Sequence, residues 1–300
     1  MPRYENSSPL VYLGNKSALV SAIVQAMPIA NPTKLRWIVP FCGSLAAPLA
    51  LKPERAVFSD VVPELMHLWR QIAKQPSKLL AATQKIGNTE AAYYVARERL
   101  NTLITAGTWT LERAAIWLMI NRLGYRGRYR VNSDGQCNIP FGHRGDSGSL
   151  PSAEALQAVS SYLSAPGISL VTEGWQNTLF RAVPGDLAML DPPYHQMYDY
   201  QDMTGADAWG EAEQIEIRDW ALKLIDNGVH VMLHNNATPF ILDAYSDPRF
   251  QVVPIGRQHK VGYGRTLNAD TKELIITAVG KIPKKRKPVP VLPVRRLVDV

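Results

Sequence analysis

Apolar residues follow two rhythms along this 300-residue chain. Short continuous runs, bounded by turn residues, predict buried strands. They lie at Trp37–Phe41, Ala56–Ser59, Ile168–Val171, Leu187–Leu190, Val229–Leu233, Phe250–Pro254 and Glu273–Thr277. Apolar positions recurring every three to four residues predict helices over 16–27, up to Leu51, and over Pro63–Lys74, Ala92–Leu103, Leu111–Leu123, Ala153–Leu163 and Glu211–Asp226. Pro63 suits the first turn of its helix, where no backbone donor is needed. Trp69, Trp117 and Trp220 sit at helical spacing among apolar residues and are expected in the core. The opening order of strand, Cys42-Gly43-Ser44 loop, helix, strand and Asp60 is that of a nucleotide-binding α/β unit. It predicts a parallel sheet with right-handed crossovers.

The rhythm changes between 62 and 165. Helical patterns dominate, and Ser133-Asp134-Gly135-Gln136 is a turn signal between Tyr129–Asn132 and Cys137–Phe141, predicting a β-hairpin. The chain therefore divides into a discontinuous α/β domain, 1–61 with 166–280, an inserted helical and hairpin-bearing block, 62–165, and a tail, 281–300.

Charge sharpens this division. The net charge is +7, but the Pro-rich tail holds seven Lys/Arg and one Asp, which leaves +1 for residues 1–280. The tail reads equally as a solvated extension or as a non-specific DNA attractant. Residues 122–144 hold five Arg and one Asp, a local excess suited to phosphate contact. No apolar run approaches the roughly 18 residues of a membrane span. The opening MPRYENSSPL does not read as a signal peptide. Cys42 and Cys137 form no metal or disulfide pattern, which suits a reducing, cytoplasmic compartment. His230 and His234 are four apart, but on a predicted strand without a third ligand, so no metal is expected. Lys16-Ser17 lacks the glycines of a phosphate loop, since Leu10 and Asn15 stand there.

Asp191-Pro192-Pro193-Tyr194 comes directly after the Leu187–Leu190 run. A carboxylate accepts a hydrogen bond from an exocyclic amine. Two prolines hold the backbone extended, so that the Pro192 carbonyl can point at the same amine. A Tyr offers a flat face to a planar base. Together they suit an amino group on a heterocycle, although Asp-Pro-Pro also opens ordinary turns.

Other segments supply a context. They are Tyr12-Leu13-Gly14-Asn15-Lys16, then Pro40-Phe41-Cys42-Gly43, then the acidic strand end Asp60. Next come the long stretch Asn121-Arg122-Leu123-Gly124-Tyr125-Arg126-Gly127-Arg128-Tyr129-Arg130-Val131-Asn132, and then Asn138-Ile139-Pro140-Phe141-Gly142. With these in order before the Asp-Pro-Pro-Tyr segment, the chain resembles the Dam-type DNA adenine-N6 methyltransferases of the D12 class over most of residues 8–280. Three departures from the family pattern stand out, one of them Arg126, at a position often Asn in the Dam group. Val39 stands where an acid precedes Pro-Phe, and Leu45 and Ala46 stand where a second glycine is expected.

The resemblance implies a Rossmann-like α/β methyltransferase sheet carrying an inserted target-recognition domain. It implies S-adenosylmethionine as cofactor, held by Tyr12, Lys16, Phe41, Gly43, Asp60 and Asp191. Asp60 is placed to bind ribose hydroxyls, with capping of the next helix as its rival role. Asp191, Pro192, Pro193 and Tyr194 are the expected catalytic residues, acting on an adenine flipped from the duplex. Arg130 is expected to read a base, Tyr125 to wedge into the stack, and Arg122, Arg126, Asn132 and Arg144 to contact the double-stranded DNA. An associated restriction endonuclease and a monomeric or weakly dimeric state are compatible with this picture. Rival readings are an RNA guanine-N2 or DNA cytosine-N4 methyltransferase, and a catalytically weak relative acting by DNA occupancy.

Overall fold

The structure is a computed structural model that describes residues 8–12, 14–127, 130–143, 148–196, 209–256, 260–261, 265–266 and 272–281. Seven strands form one sheet: β1 (Arg36–Val39), β2 (Arg55–Asp60), β3 (Ile168–Thr172), β4 (Leu187–Leu190), β5 (His230–Asn236), β6 (Gln251–Gly256) and β7 (Lys272–Ala278). Their order across the sheet is β3-β2-β1-β4-β5-β7-β6. The pairs among β1 to β5 are parallel. β7 runs antiparallel to both neighbours, so the sheet is mostly parallel, as a Rossmann-like methyltransferase sheet is. A doubly buried strand reads as a continuous apolar run in either direction, and burial pattern alone does not encode orientation.

Strand order reverses between β1 and β4. In open α/β sheets that switch point, at the carboxyl ends of the strands, opens the crevice used for ligands. Phe41–Gly43 come after β1 and Asp191 comes after β4, so the Pro-Phe-Cys-Gly and Asp-Pro-Pro-Tyr segments meet there.

The helices are α1 (Val20–Ala26), α2 (Ala46–Leu51), α3 (Pro63–Lys74), α4 (Pro76–Ile86), α5 (Glu90–Thr105), α6 (Leu111–Leu123), α7 (Ala153–Leu163), α8 (Trp175–Leu179), α9 (Glu211–Asp226) and α10 (Pro239–Ala244). Proline at the first positions of α3 and α4 starts these helices. Thr89, Thr110 and Ser152 cap α5, α6 and α7 by accepting the N–H of Ala92, Arg113 and Ala155. The helix expected over 16–27 is instead a 3-10 turn, Ser17–Leu19, followed by α1. No helix among the described residues is long and apolar enough to cross a membrane.

Two apolar cores flank the sheet. One joins β1 and β2 to α3, α4, α5, α6 and α7, with Trp69 and Trp117 fully buried in it. The other lies over β4, β5 and β7, beneath α8, α9 and α10. Trp220 is only half-buried at its margin, so the expectation of a core position fails there. α3 and α7 pack on β3, and α4 and α6 pack on them in turn. The helical block thus grows from the sheet's own core.

A buried ion pair fastens that block. Arg113 Nη2 on α6 lies 2.6 Å from Glu64 Oε1 on α3, with both side chains almost fully shielded from water. The guanidinium also donates to the Leu103 and Thr108 carbonyls and lies 3.7 Å over the Trp109 ring. Breaking such a pair leaves a buried charge uncompensated. Glu64→Ala is expected to lower stability by about 3–5 kcal/mol, read from urea unfolding, and a loss below about 1 kcal/mol would mean that water reaches Arg113.

The hairpin expected at 129–141 is reduced, among the described residues, to single bridges between Val131 and Cys137 and between Gly124 and Phe141. The outward backbone groups of 137–139 are engaged by α5. Asn101 bonds both the N–H and the carbonyl of Cys137, at 2.8 and 3.1 Å, and Arg97 donates to the Ile139 carbonyl at 3.0 Å.

Candidate active site

Three chain segments converge at the switch point. The first is the N-terminal loop. Gly14 takes a left-handed φ of 76°, which turns the backbone so that Lys16 Nζ reaches the Gly14 carbonyl at 2.7 Å. The same ammonium lies 2.8 Å from Asp191 Oδ2, 3.9 Å from Glu273 Oε1 and 5.0 Å from the centre of the Tyr194 ring. Lys16 is 5% exposed. Such a cation is tolerated away from water because carboxylates surround it.

The second segment is the loop after β1. Gly43 has a φ of 45°, and a Cβ built there would lie 3.2 Å from the Tyr12 ring. The glycine therefore lets Tyr12 lie directly on the loop backbone. Gly43 N–H donates to Asp60 Oδ2 at 3.0 Å, and its carbonyl accepts from Trp69 Nε1 at 3.0 Å. Asp60 Oδ1 accepts from the Val62 N–H at 3.1 Å. Asp60 thus ties the loop after β1 to the start of α3. Burial pushes its carboxyl up to about 6, against the lowering effect of the N–H groups of Gly43, Val62 and Val61. Leu45 adopts a left-handed φ of 53° in the stretch where the family's second glycine is expected. It is 1% exposed, so its side chain fills core space while its backbone keeps the strained turn. Phe41 stacks on Trp175, with centroids 6.2 Å apart, and meets Trp209 edge-on at 5.6 Å.

The third segment is Asp191–Tyr194. The fully buried β4 delivers Asp191 to the crevice. A set of amides fixes the backbone from Pro193 to His195. Gln214 Nε2 on α9 donates to the Pro193 carbonyl at 2.7 Å, and its Oε1 accepts from Asn235 Nδ2 at 2.9 Å. Asn235 Oδ1 accepts the His195 N–H at 3.0 Å, and Asn236 Nδ2 donates to the His195 carbonyl at 2.6 Å. Gln214 and Asn235 are wholly buried. A buried amide network of this kind rigidifies the loop it holds. The Tyr194 hydroxyl donates to Glu273. Of these supports, Glu273, Gln214, Asn235 and Asn236 are absent from the residues that the sequence pattern singles out. Two polar residues ending the apolar β5 run are the available signal.

Burial, then the Lys16 charge, pushes His234 down to about 3, so its imidazole is neutral. Burial and the neighbouring Asp60 raise the Cys42 thiol well above its usual range, which makes it a packing residue. Among the described residues, no three His, Cys, Asp or Glu side chains gather as a metal site.

The basic stretch joins this site through its first residues. Asn121 on α6 clamps Val11, accepting its N–H at 3.1 Å and donating to its carbonyl at 2.6 Å. A Cβ on Gly127 would lie 2.3 Å from the Val11 side chain. Arg122 donates to the Pro9 and Ser149 carbonyls at 3.1 and 2.7 Å, as a strut between these segments. Tyr125 is half-buried, and its N–H donates to the Pro140 carbonyl at 3.0 Å. Arg130 is exposed, with Nε donating to Asn138 Oδ1 at 2.8 Å. Asn132 shapes the turn by accepting the N–H groups of Asp134 and Gln136 at 3.0 and 2.9 Å. The Arg126 side chain and Arg144 lie outside the described residues. The structure therefore brings Lys16, Asp191 and Tyr194 together, with Tyr12, Gly43 and Asp60 linked on the neighbouring loop, and places Arg122 and Arg130 on the 121–142 stretch.

The chain is similar in sequence to several named methylases. A Lactococcus lactis subsp. cremoris protein named Type II methyltransferase M1.LlaDCHI is 27% identical over 273 residues, covering 90% of this chain and 94% of its own. The Retron Ec67 DNA adenine methylase of Escherichia coli is 28% identical over 271 residues, 88% of this chain and 89% of its own. The DNA adenine methylase of Haemophilus influenzae is 27% identical over 282 residues, 91% and 94% of the two chains. Residues 12–261 match, as one continuous span, the family described as D12 class N6 adenine-specific DNA methyltransferase, and the chain belongs to that family.

Proposed function

We propose that the chain methylates adenine N6 in duplex DNA with S-adenosylmethionine as donor, after the base has swung out of the helix into the crevice at the ends of β1 and β4. The observation that carries this reading is the convergence of Lys16, Asp191 and Tyr194 at 2.8 to 5.0 Å. The crevice fits such a donor chemically. Gly43 lets the loop backbone lie close against Tyr12, and the Asp60 carboxylate, which accepts the Gly43 and Val62 N–H groups, keeps acceptor capacity for ribose hydroxyls. When bound, the donor supplies an electrophilic methyl on a sulfonium, which departs as a neutral thioether.

The protein's part is positioning. Asp191 and the Pro192 carbonyl accept the two N6–H bonds. That draws the nitrogen lone pair out of ring conjugation and aims it at the methyl. Tyr194 stacks on the base, and the Gln214–Asn235–Asn236 network keeps the motif backbone from relaxing. A preorganised acceptor pair of this kind lowers the barrier without reorganising during transfer. Flipping is required because N6 is engaged in pairing within the duplex.

We further assign residues 62–165 to target recognition. Arg130, exposed and braced by Asn138, suits bidentate reading of guanine in the major groove. Tyr125 suits the wedge that fills the space left by the base. Arg122, Arg126 and Arg144 suit phosphates or flanking bases, and Asn132 shapes the turn that presents Arg130.

Asp191→Ala should reduce methyl transfer to duplex DNA by at least about 10²–10³-fold with an unchanged circular dichroism spectrum; normal turnover would refute the assigned role. Arg130→Ala should relax preference at one base pair by about 1–3 kcal/mol, read from methylation of a randomised duplex library; an equal loss on all sequences would make Arg130 a phosphate contact. Asp60 gives a dependence on pH. Its folded pKa, about 6, is above its ordinary 3.8, so its contribution to stability is full below about 3.8 and is lost as pH rises through about 6. Donor binding uses the ionised form and should run the opposite way, weakening as pH falls through about 6. Asp60→Asn should remove the stability slope across that interval and weaken donor binding at neutral pH. A variant that keeps the slope would place its origin elsewhere.

A further inference from the structure

We propose that Asn101 on α5 is a positioning residue for sequence recognition, which holds the segment that braces Arg130 and so aims that arginine at its base pair. This inference rests on the assignment of Arg130 as a base-reading residue.

Bidentate reading of a base edge needs an arginine held in a narrow range of positions, yet Arg130 is exposed beside a turn. Its support comes through Asn138. Arg130 Nε donates to Asn138 Oδ1 at 2.8 Å, and the Asn138 N–H donates to the Arg130 carbonyl at 3.2 Å. Across the same turn, the Asn132 N–H donates to the Gln136 carbonyl at 2.9 Å. These bonds shape the turn, but they do not set its direction relative to the body of the protein. A two-stranded turn of this size is marginal by itself.

The direction is set from α5. Asn101 accepts the Cys137 N–H at 2.8 Å and donates to the Cys137 carbonyl at 3.1 Å. The side-chain amide thus takes the place of a neighbouring strand, exchanging both bonds with one residue. On the other side of Asn138, the Ile139 carbonyl accepts from Arg97 Nη1 at 3.0 Å and from the Tyr93 hydroxyl at 3.2 Å. Backbone groups of an extended segment alternate in direction. Cys137 and Ile139 therefore face α5, while Asn138 between them faces Arg130. The helix is a firm platform, since its Tyr93, Ala96, Leu100 and Leu103 are buried in the core. Asn101 and Cys137 are themselves buried. Removing the Asn101 amide withdraws two bonds from a shielded backbone, and the segment must shift to replace them. Asn138 and Arg130 shift with it.

The test is methylation of a randomised duplex library by the full chain, by Asn101→Leu, by Arg130→Ala and by the double variant. Tyr93→Phe serves as a milder change to the same support. Asn101→Leu should lower discrimination about fivefold or more at the base pair that Arg130→Ala relaxes, and less than about twofold at every other position. The double variant should discriminate as Arg130→Ala does, because both changes act on one contact. Tyr93→Phe should relax the same base pair about twofold. It decides the matter if Asn101→Leu does not fold, and unchanged discrimination there would then overturn the proposal. A uniform loss of rate on all sequences in Asn101→Leu, or additive losses in the double variant, would overturn the positioning role. An Arg130→Ala protein slowed equally on all sequences would overturn the base-reading assignment, and this inference with it.

Discussion

Lys16 and Asp191 meet across 2.8 Å from segments far apart in the chain, and the lysine is almost entirely shielded from water. An ammonium in that setting is stable only while its carboxylate partners are in place. The contact therefore couples three parts at once. It anchors the Tyr12–Lys16 loop over Gly43, holds the Asp191 carboxylate at the end of β4, and draws Glu273 of the reversed β7 into the same cluster. The amides of Gln214, Asn235 and Asn236 then fix the backbone just beyond. An active site that works by positioning requires this order of support, with a charged centre held by a rigid polar shell.

The same loop links the lobe assigned to recognition with the site of chemistry. Asn121 holds Val11 by both backbone groups, Gly127 admits the Val11 side chain, and Arg122 holds Pro9. Tyr12, the next residue, lies on Gly43. The 121–127 segment and the Tyr12 loop are thus in direct contact through Val11. The Asn-Arg-x-Gly-Tyr-x-Gly pattern accordingly has a structural duty as well as the recognition duty that resemblance suggests. Its Asn, Arg and second Gly face the donor loop, and the residues after it turn toward Arg130.

Much of this arrangement is legible in the sequence, for physical reasons that differ by element. The β4 run and α6 match their apolar patterns to the residue, because full burial leaves an unbroken or helically spaced signal. Asp191, Gly43 and Asp60 stand out because close approach and charge at strand ends demand particular residue types, and Lys16 stands out through the family resemblance alone. The reversal of β7 is not legible, since a buried strand reads alike in both directions, and Glu273 is hidden with it. The hairpin pattern is met around the turn, where the N–H groups of Asn132 and Asn138 donate to the carbonyls of Gln136 and Arg130, and only the bonds of its outward groups to Asn101 and Arg97, on a distant helix, are not legible. Leu45 shows the limit from the other side. A missing glycine suggests a changed loop, yet the left-handed turn persists, with the Leu side chain held in the core.

The central claim is that Asp191 and the Pro192 carbonyl hold the amine of an extrahelical adenine. The most direct measurement is a crystal structure of the chain with sinefungin, an unreactive analogue of the donor, and a duplex carrying the sequence that sequencing identifies as methylated. The account predicts an adenine outside the stack, its N6 within hydrogen-bond distance of both acceptors and its ring against Tyr194. An adenine still paired in the duplex, or an amine bound away from Asp191, would contradict it.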